Sequence, residues 1–323
     1  PPLRSDGVNF ARLLDDTDQP ADDALLARRQ NLACKTLTDF APDILITELF
    51  PFGRRILSAE FEALLTTAHA QVPRPTILSS IRDILAPPSK PSKAARAQDL
   101  ITCRYDAVLV HSDPQGTTLD KSWPVSDALL AKLRYTGYVT QPPPVPHPEA
   151  IGAGEILISA GGGSVGTDLF ETAIAAARLM PEIRWRLLVA GGGERLAALS
   201  NLAKHSSTLV EPARPDFRNM LAGAAASISL CGYNTAMDVL QTGTPAVFVP
   251  FDAGNEVEQS LRAQSLSGLA GITTLPSSDL SPDTLCSAVQ QVLTAPKRIQ
   301  GSLRFDGAAQ SVTIATAMAE ARI

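Results

Sequence analysis

One alternation recurs along this chain and constrains its fold more than any other feature. A short apolar run rich in Ile, Leu and Val gives way to Gly or Pro, then to a longer stretch with helical spacing. Such runs are too short for helices and lack the polar alternation of a half-exposed strand, so they read as strands buried on both faces. Strands separated by helices need crossover connections, which make a parallel sheet. Strands are expected over 43–47, 75–80, 105–111 and 134–139, with helices over 20–40, 57–71, 94–104 and 125–133. The pattern then repeats, with strands over 156–160, 185–190, 208–211, 226–230 and 246–250. Helices are expected over 168–179, after 191–193, and over 217–224, 235–241, 256–265, 282–295 and 307–321.

Between the two series, residues 141–148 read Gln-Pro-Pro-Pro-Val-Pro-His-Pro. Such a run continues neither element and stiffens toward polyproline II, so it reads as an interdomain linker. With 323 residues, the chain has room for two domains at roughly 150 residues each. The expectation is an N-terminal domain over 1–140, the linker, a second domain over 149–306, and a last helix over 307–323 that crosses back to the first domain. Two doubly wound parallel sheets joined this way would face a cleft, where ligands usually sit.

Composition narrows the function classes. A net charge of −5 argues against a nucleic-acid partner, which usually leaves a basic footprint. Cys34, Cys103, Cys231 and Cys286 form no CxxC pair, so they read as reduced thiols in a cytoplasmic protein. His69, His111, His147 and His205 are isolated, and no HxxxH or HExxH motif is present, so no metal site is expected. No apolar run approaches the ~20 residues of a membrane span. The start at Pro-Pro-Leu-Arg reads as a fragment or processed form.

Three segments carry chemistry. In Ile158–Thr167 a strand runs into Gly161-Gly162-Gly163-Ser164-Val165-Gly166 and then a helix. Glycines there let the backbone approach phosphate oxygens, and the helix start offers N–H groups and a positive dipole end. A purely structural turn is the other reading, and the stronger one for Gly191-Gly192-Gly193. In Ser229–Leu240 a strand meets Gly232-Tyr233-Asn234-Thr235, and Asp238 follows three residues after Thr235 on the same helical face. Asp238 is either a capping-box acid or a carboxylate that holds the paired hydroxyls of a ribose. In the third segment, Gly243–Asp252 followed by Asn255, Glu256 and Gln259, a buried strand ends in Pro250-Phe251 at the carboxyl edge of the sheet, where Asn255 and Gln259 could hold sugar hydroxyls.

In order and spacing these segments resemble the MurG-like glycosyltransferases, specifically their family 28 C-terminal domain, over about 155–265. The Gly-Tyr-Asn-Thr form is similar to a branch known only as predicted glycosyltransferases. The resemblance implies a GT-B fold, with two Rossmann-like domains. It further implies that Gly162, Gly163 and Ser164 face the diphosphate, that Gly232, Tyr233, Asn234 and Thr235 shape the donor site, that Asp238 holds the ribose where glutamate is usual, and that Gln259 contacts the donor sugar.

The first half resembles the family's acceptor domain more loosely, through Pro42–Glu48 with Pro51–Arg55, through Ser80–Asp83, and through Arg134–Val139. Glu48, Arg54, Arg82 and Asp83 are charged residues at the ends of buried strands, read either as functional or as ion pairs at the rim. The family opens with a strand and a Gly-rich loop ending in histidine, and this chain begins beyond that point. The expectation is therefore an N-terminal domain without its first strand, a catalytic base outside this sequence, Glu48 and Asp83 as substitutes, and Arg54 and Arg82 on the acceptor side.

The implied reaction moves a sugar from a nucleotide-sugar, a UDP-sugar by this resemblance, to an acceptor hydroxyl, without metal or cofactor. A lipid-linked or cell-envelope acceptor would bring Lys90, Lys93, Arg96 and Arg104 to the inner face of a membrane as a peripheral contact. The alternatives are a nucleotide-sugar hydrolase or epimerase on the same fold, and an inactive binding subunit.

Overall fold

A computed structural model describes residues 1–5, 13–160, 166–252, 256–296, 298 and 303–322. The chain divides into two compact units, one formed by Pro1–Ser112, Trp123–Gly137 and Gly307–Ile323, the other by Asp113–Ser122 and Tyr138–Asp306.

The first unit begins with two-residue antiparallel strands, β1 (Arg4–Ser5) and β2 (Leu13–Leu14). There follow α1 (Asp23–Phe40), β3 (Ile44–Glu48), α2 (Ser58–Ala70), β4 (Thr76–Arg82), α3 (Pro91–Arg104), β5 (Ala107–His111), α4 (Asp127–Leu130) and β6 (Leu133–Tyr135). Local signals set the ends. Asp22 caps α1 by accepting from the Leu25 N–H at 2.7 Å, and Ala41 leaves the helix at φ 45° just before Pro42. Helix α3 starts three residues earlier than expected, because Pro91 takes the first turn, where its missing N–H has no intrahelical partner to lose. Strands β3, β4, β5 and β6 pair in that order, all parallel.

The second unit runs β7 (Ile156–Ser159), α5 (Thr167–Leu179), β8 (Trp185–Val189), α6 (Gly193–Leu202), β9 (Thr208–Pro212), α7 (Phe217–Leu221), β10 (Ala226–Ser229), α8 (Tyr233–Thr242), β11 (Ala246–Phe248), α9 (Glu258–Leu266), β12 (Ile272–Thr274) and α10 (Pro282–Thr294). Its parallel sheet has the order β12-β11-β10-β7-β8-β9. Both faces are buried. Ile156 and Ile158 pack with Phe170 and Ile174 of α5 and Val289 of α10, while Leu157 between them packs with Met237 of α8 and Leu266 of α9. Fully burying a side chain of this size contributes about 1.5–3 kcal/mol. Strand β12 escaped the sequence reading because it has three residues, set off by Gly271 at φ 73°.

The last helix, α11 (Gly307–Glu320), belongs to the first unit. Its Ala315, Ile314 and Met318 pack on Leu78 of β4 and on Ala107 and Leu109 of β5. Arg322 just beyond it donates to Asp106 at 2.6 Å.

Two boundaries differ from expectation. Residues 113–122, expected in the first domain, join the second unit. Asp113 accepts from the Arg304 N–H at 3.0 Å, Thr117 Oγ1 lies 2.7 Å from Ser265 Oγ, and a Cβ on Gly116 would come within 2.4 Å of the Tyr138 hydroxyl. The proline-rich stretch 141–148 is not a free spacer either. The Val145 carbonyl accepts from Asn219 Nδ2 at 2.8 Å, the His147 N–H reaches the Asn219 carbonyl at 3.1 Å, and the His147 ring meets Asp216 at 3.0 Å. Proline removes donors, but the remaining carbonyls and one histidine suffice to fasten the segment to the second unit.

Candidate functional site

The strand order of the second unit fixes where a ligand can enter. From β7 the chain moves to β8 and β9 on one side, then returns to lay β10, β11 and β12 on the other. The helices that follow β7 and β10, α5 and α8, pack on opposite faces of the sheet, and the carboxyl ends of such strands are where sheets of this kind bind ligands. Ser159 and Ser229, the last residues of the two strands, are register partners.

Beyond β7 come Ala160 and then Gly166, the N-cap of α5 at φ 87°, with no side-chain cap. A Cβ at Gly166 would lie 2.6 Å from the Ala160 Cβ, so backbone and space both demand glycine. Gly162, Gly163 and Ser164 lie outside the described residues, as does Asn255. Beyond β10, Gly232 is the N-cap of α8, again without a side-chain cap and with open space where a Cβ would stand. Both helices thus start at a glycine that has no side chain to cap the first turn, an arrangement suited to an anion. The Ser229 hydroxyl is buried there without a hydrogen-bond partner among the described residues.

Within the Gly-Tyr-Asn-Thr turn the roles separate. Asn234 is exposed and Thr235 half-buried in the first turn of α8. Tyr233 faces elsewhere: its hydroxyl accepts from the Val139 N–H at 3.1 Å, and the Arg262 guanidinium stands over its ring at 5.8 Å. Arg262, almost fully buried, donates to the Cys231 carbonyl at 3.0 Å. Tyr233, expected in the donor site, is therefore a brace that holds the turn.

Asp238 is the sixth residue of α8, too far along to act in a capping box. Its Oδ1 accepts from Arg218 Nε at 2.6 Å. Burial raises its pKa, and Arg218 opposes that shift. The sequence left this carboxylate open to a ribose; in the structure a guanidinium from α7 already engages it. Gln259 is likewise engaged, its Oε1 accepting from the Phe251 N–H at 3.2 Å, which closes the loop across the carboxyl end of β11. Glu256 Oε1 accepts from the Glu258 N–H at 2.7 Å and so caps α9.

In the first unit, Glu48 and Arg54 form an ion pair with both side chains about half exposed, and Arg82 is exposed. Asp83, expected as a substitute base, is fully buried and accepts from the Ile84 N–H at 2.8 Å. A base must reach the proton it removes, and Asp83 instead holds the turn after β4. Sequence reasoning passed over His111, the last residue of β5. Its Nε2 lies 2.7 Å from Ser80 Oγ and its Nδ1 3.0 Å from Thr136 Oγ1. Burial lowers its pKa, opposed by the charge of Glu48. The signal was its place at the carboxyl end of a buried strand; a search for metal-ligand spacing could not see it.

Residues 157–312 match the glycosyltransferase family 28 C-terminal domain, a stretch that takes in both helix starts. That stretch is similar to the C-terminal domain of the family 28 glycosyltransferases. The chain is 33% identical over 158 residues to the UDP-N-acetylglucosamine--N-acetylmuramyl-(pentapeptide) pyrophosphoryl-undecaprenol N-acetylglucosamine transferase of Brucella anthropi, covering 47% of this chain and 41% of that protein. The enzyme of the same name from Brucella canis is 29% identical over 186 residues, 54% of this chain and 49% of its own length. The chain thus matches about half the length of these relatives. The crystal structure of Acinetobacter baumannii MurG superposes with a TM-score of 0.59 at 16% identity, over 87% of this chain and 76% of that one. The calicheamicin glycosyltransferase CalG4 gives a TM-score of 0.55 at 16% identity, over 98% of this chain and 83% of that one. With its two parallel-sheet α/β units, the chain has the GT-B fold, and the stretch that matches the family 28 model lies mostly in its second unit.

Proposed function

We propose that this chain transfers a hexosyl or N-acetylhexosaminyl group from a UDP-sugar to an acceptor hydroxyl, without a metal ion or cofactor. The observation that carries the reading is the pair of helix starts, α5 and α8, at the strand-order reversal of a stretch similar to the family 28 domain. Their N–H groups and dipoles suit a diphosphate leaving group that gains charge as the glycosidic bond breaks. The Ser229 hydroxyl adds a donor. Asp238 holds the ribose, with Arg218 either shifting aside or sharing the carboxylate. Gln259 meets the sugar through its amide nitrogen, since its oxygen is held by Phe251.

The acceptor in this reading is lipid-linked, as the names of the Brucella relatives state for those enzymes. Among the described residues no helix is long and apolar enough to cross a membrane. Membrane contact would come from Lys90, Lys93, Arg96 and Arg104 on and before α3, at the cytoplasmic face, although Arg96 is paired with Glu62 at 2.5 Å.

The test is calorimetric titration of UDP, GDP and dTDP into the protein and into Asp238→Asn, which keeps a hydrogen-bonding partner for Arg218. UDP is expected to bind best, with Asp238→Asn weakening it about ten- to hundredfold, roughly 1.5–3 kcal/mol. Failure of every nucleotide to bind the folded protein would sink the donor-site reading. Free sugar released from UDP-N-acetylglucosamine at the same rate with and without lipid-linked acceptor would favour a hydrolase.

A further inference from the structure

We propose that Arg218 is a specificity-determining residue of the donor site. It holds one oxygen of Asp238 and leaves the other for a single ribose hydroxyl, so the site takes a nucleoside diphosphate that lacks one of the two. The inference rests on the donor-site reading above, and has Arg218 share the carboxylate rather than shift aside.

The guanidinium is fastened through all three of its nitrogens. Nε donates to Asp238 Oδ1 at 2.6 Å, Nη1 to Gln141 Oε1 at 3.1 Å, and Nη2 to Gln241 Oε1 at 2.6 Å and the Pro142 carbonyl at 3.2 Å. Helix α8 thus supplies two of the acceptors and the proline-rich segment the other two. Gln241 reinforces the arrangement. Its Nε2 donates to the Gln141 carbonyl at 3.0 Å and to Thr140 Oγ1 at 3.3 Å, which leaves Oε1 to face Arg218. With 18% of each side chain exposed, the Arg218–Asp238 pair is largely withdrawn from water. Swinging the guanidinium aside would strand a mostly buried carboxylate and two amide oxygens, and that costs more than one extra hydroxyl contact returns.

The second carboxylate oxygen is different. Oδ2 has no hydrogen-bond partner among the described residues, and the side chain is open enough for solvent to meet it there. Asp238 is the sixth residue of α8, about 7.5 Å along the axis from the first. A ribose joined to a diphosphate at the helix start spans that distance. A carboxylate with no other partner accepts from two adjacent hydroxyls, one on each oxygen. Here Oδ1 already takes a short, charged hydrogen bond, so one hydroxyl meets Oδ2 and the other stays with water. Removing the solvated hydroxyl then changes little. Removing the one on Oδ2 leaves a carboxylate oxygen covered by the nucleotide and unpaired.

Calorimetric titration of UDP, 2′-deoxy-UDP and 3′-deoxy-UDP into the whole chain tests this. One deoxynucleotide is expected to bind within about threefold of UDP, and the other to bind more than about tenfold more weakly. Large losses for both overturn the inference, because both oxygens then serve the ribose. Small losses for both overturn it as well, because neither does. Arg218→Met supplies a second readout. With Oδ1 released, the deoxynucleotide that wild type tolerates should fall more than about fivefold behind UDP. Loss of stability alone does not move that ratio, and an unchanged ratio in the folded variant overturns the role of Arg218. If the variant does not fold, the wild-type titration decides. Failure of UDP itself to bind folded wild type overturns the donor-site reading and this inference with it, whereas UDP binding that depends equally on both hydroxyls overturns the inference alone.

Discussion

Arg218 Nε lies 2.6 Å from Asp238 Oδ1, and the same guanidinium reaches Gln241 Oε1 at 2.6 Å, Gln141 Oε1 at 3.1 Å and the Pro142 carbonyl at 3.2 Å. One side chain of α7 thus ties the middle of α8 to the proline-rich segment. The carboxylate the sequence marks for a ribose is part of the second unit's framework.

Replacing Arg218 with Met should therefore destabilise the second unit, by about 1–3 kcal/mol, because it leaves a largely buried carboxylate without its partner. Asp238 already titrates above its ordinary value of 3.8 through burial, against the pull of Arg218. A raised folded pKa gives stability that is present below the unfolded value and lost as pH rises through the folded one. The deficit of Arg218→Met should thus be small in acid and grow toward neutrality, read from urea midpoints across pH.

A second carboxylate behaves in the opposite sense. Glu155 is buried, which raises its pKa, but Arg186 at 2.5 Å and Arg184 at 3.3 Å more than offset this and hold it below 4.5. A depressed folded pKa gives stability present above the unfolded value and lost as pH falls through the folded one. Wild type should therefore lose this stabilisation on acidification below about pH 4.5. Arg186→Met should cost about 3–5 kcal/mol at pH 7, and the gap should narrow in acid, where Glu155, left with only the exposed Arg184, becomes protonated. Equal acid sensitivity in both proteins would contradict this.

Gly166→Ala combines a positive φ with a 2.6 Å approach to Ala160. The expected cost is about 2–4 kcal/mol in thermal or urea unfolding, with UDP affinity weakened more than about tenfold. Gly192→Ala is the control. Gly192 sits at φ −69° with nothing within 4 Å of its Cβ position, and the change should stay within about 0.5 kcal/mol.

Gln259→Leu separates sugar from nucleotide. It should weaken UDP-N-acetylglucosamine about tenfold while UDP itself changes by less than about threefold, compared by titration. Loss of the bond from the Phe251 N–H should also lower stability by about 1 kcal/mol. Equal weakening of both ligands would assign Gln259 to the loop alone.

The alternation of apolar runs and helical stretches was enough to read both parallel sheets, because a strand buried on two faces is mostly apolar, as Ile156, Leu157 and Ile158 are. Glycine at 166 was legible for a similar reason: the backbone requirement is local, and it is written in one residue. Strand order was not legible. Only the folded sheet shows that β10 returns to pair with β7 on the side away from β8 and sets Ser229 beside Ser159. Side-chain partners were equally hidden. Arg218 and Asp238 stand 20 residues apart, Tyr233 and Val139 94 apart, and Ser80 and His111 31 apart, and no local pattern encodes such pairings. The sequence by itself determined the elements, their parallel pairing and the glycine-dependent turns, since each follows from burial or backbone geometry within a few residues. Which carboxylate is engaged, which is buried, and which histidine meets a serine were decided by the tertiary structure, because hydrogen bonds and desolvation act through space.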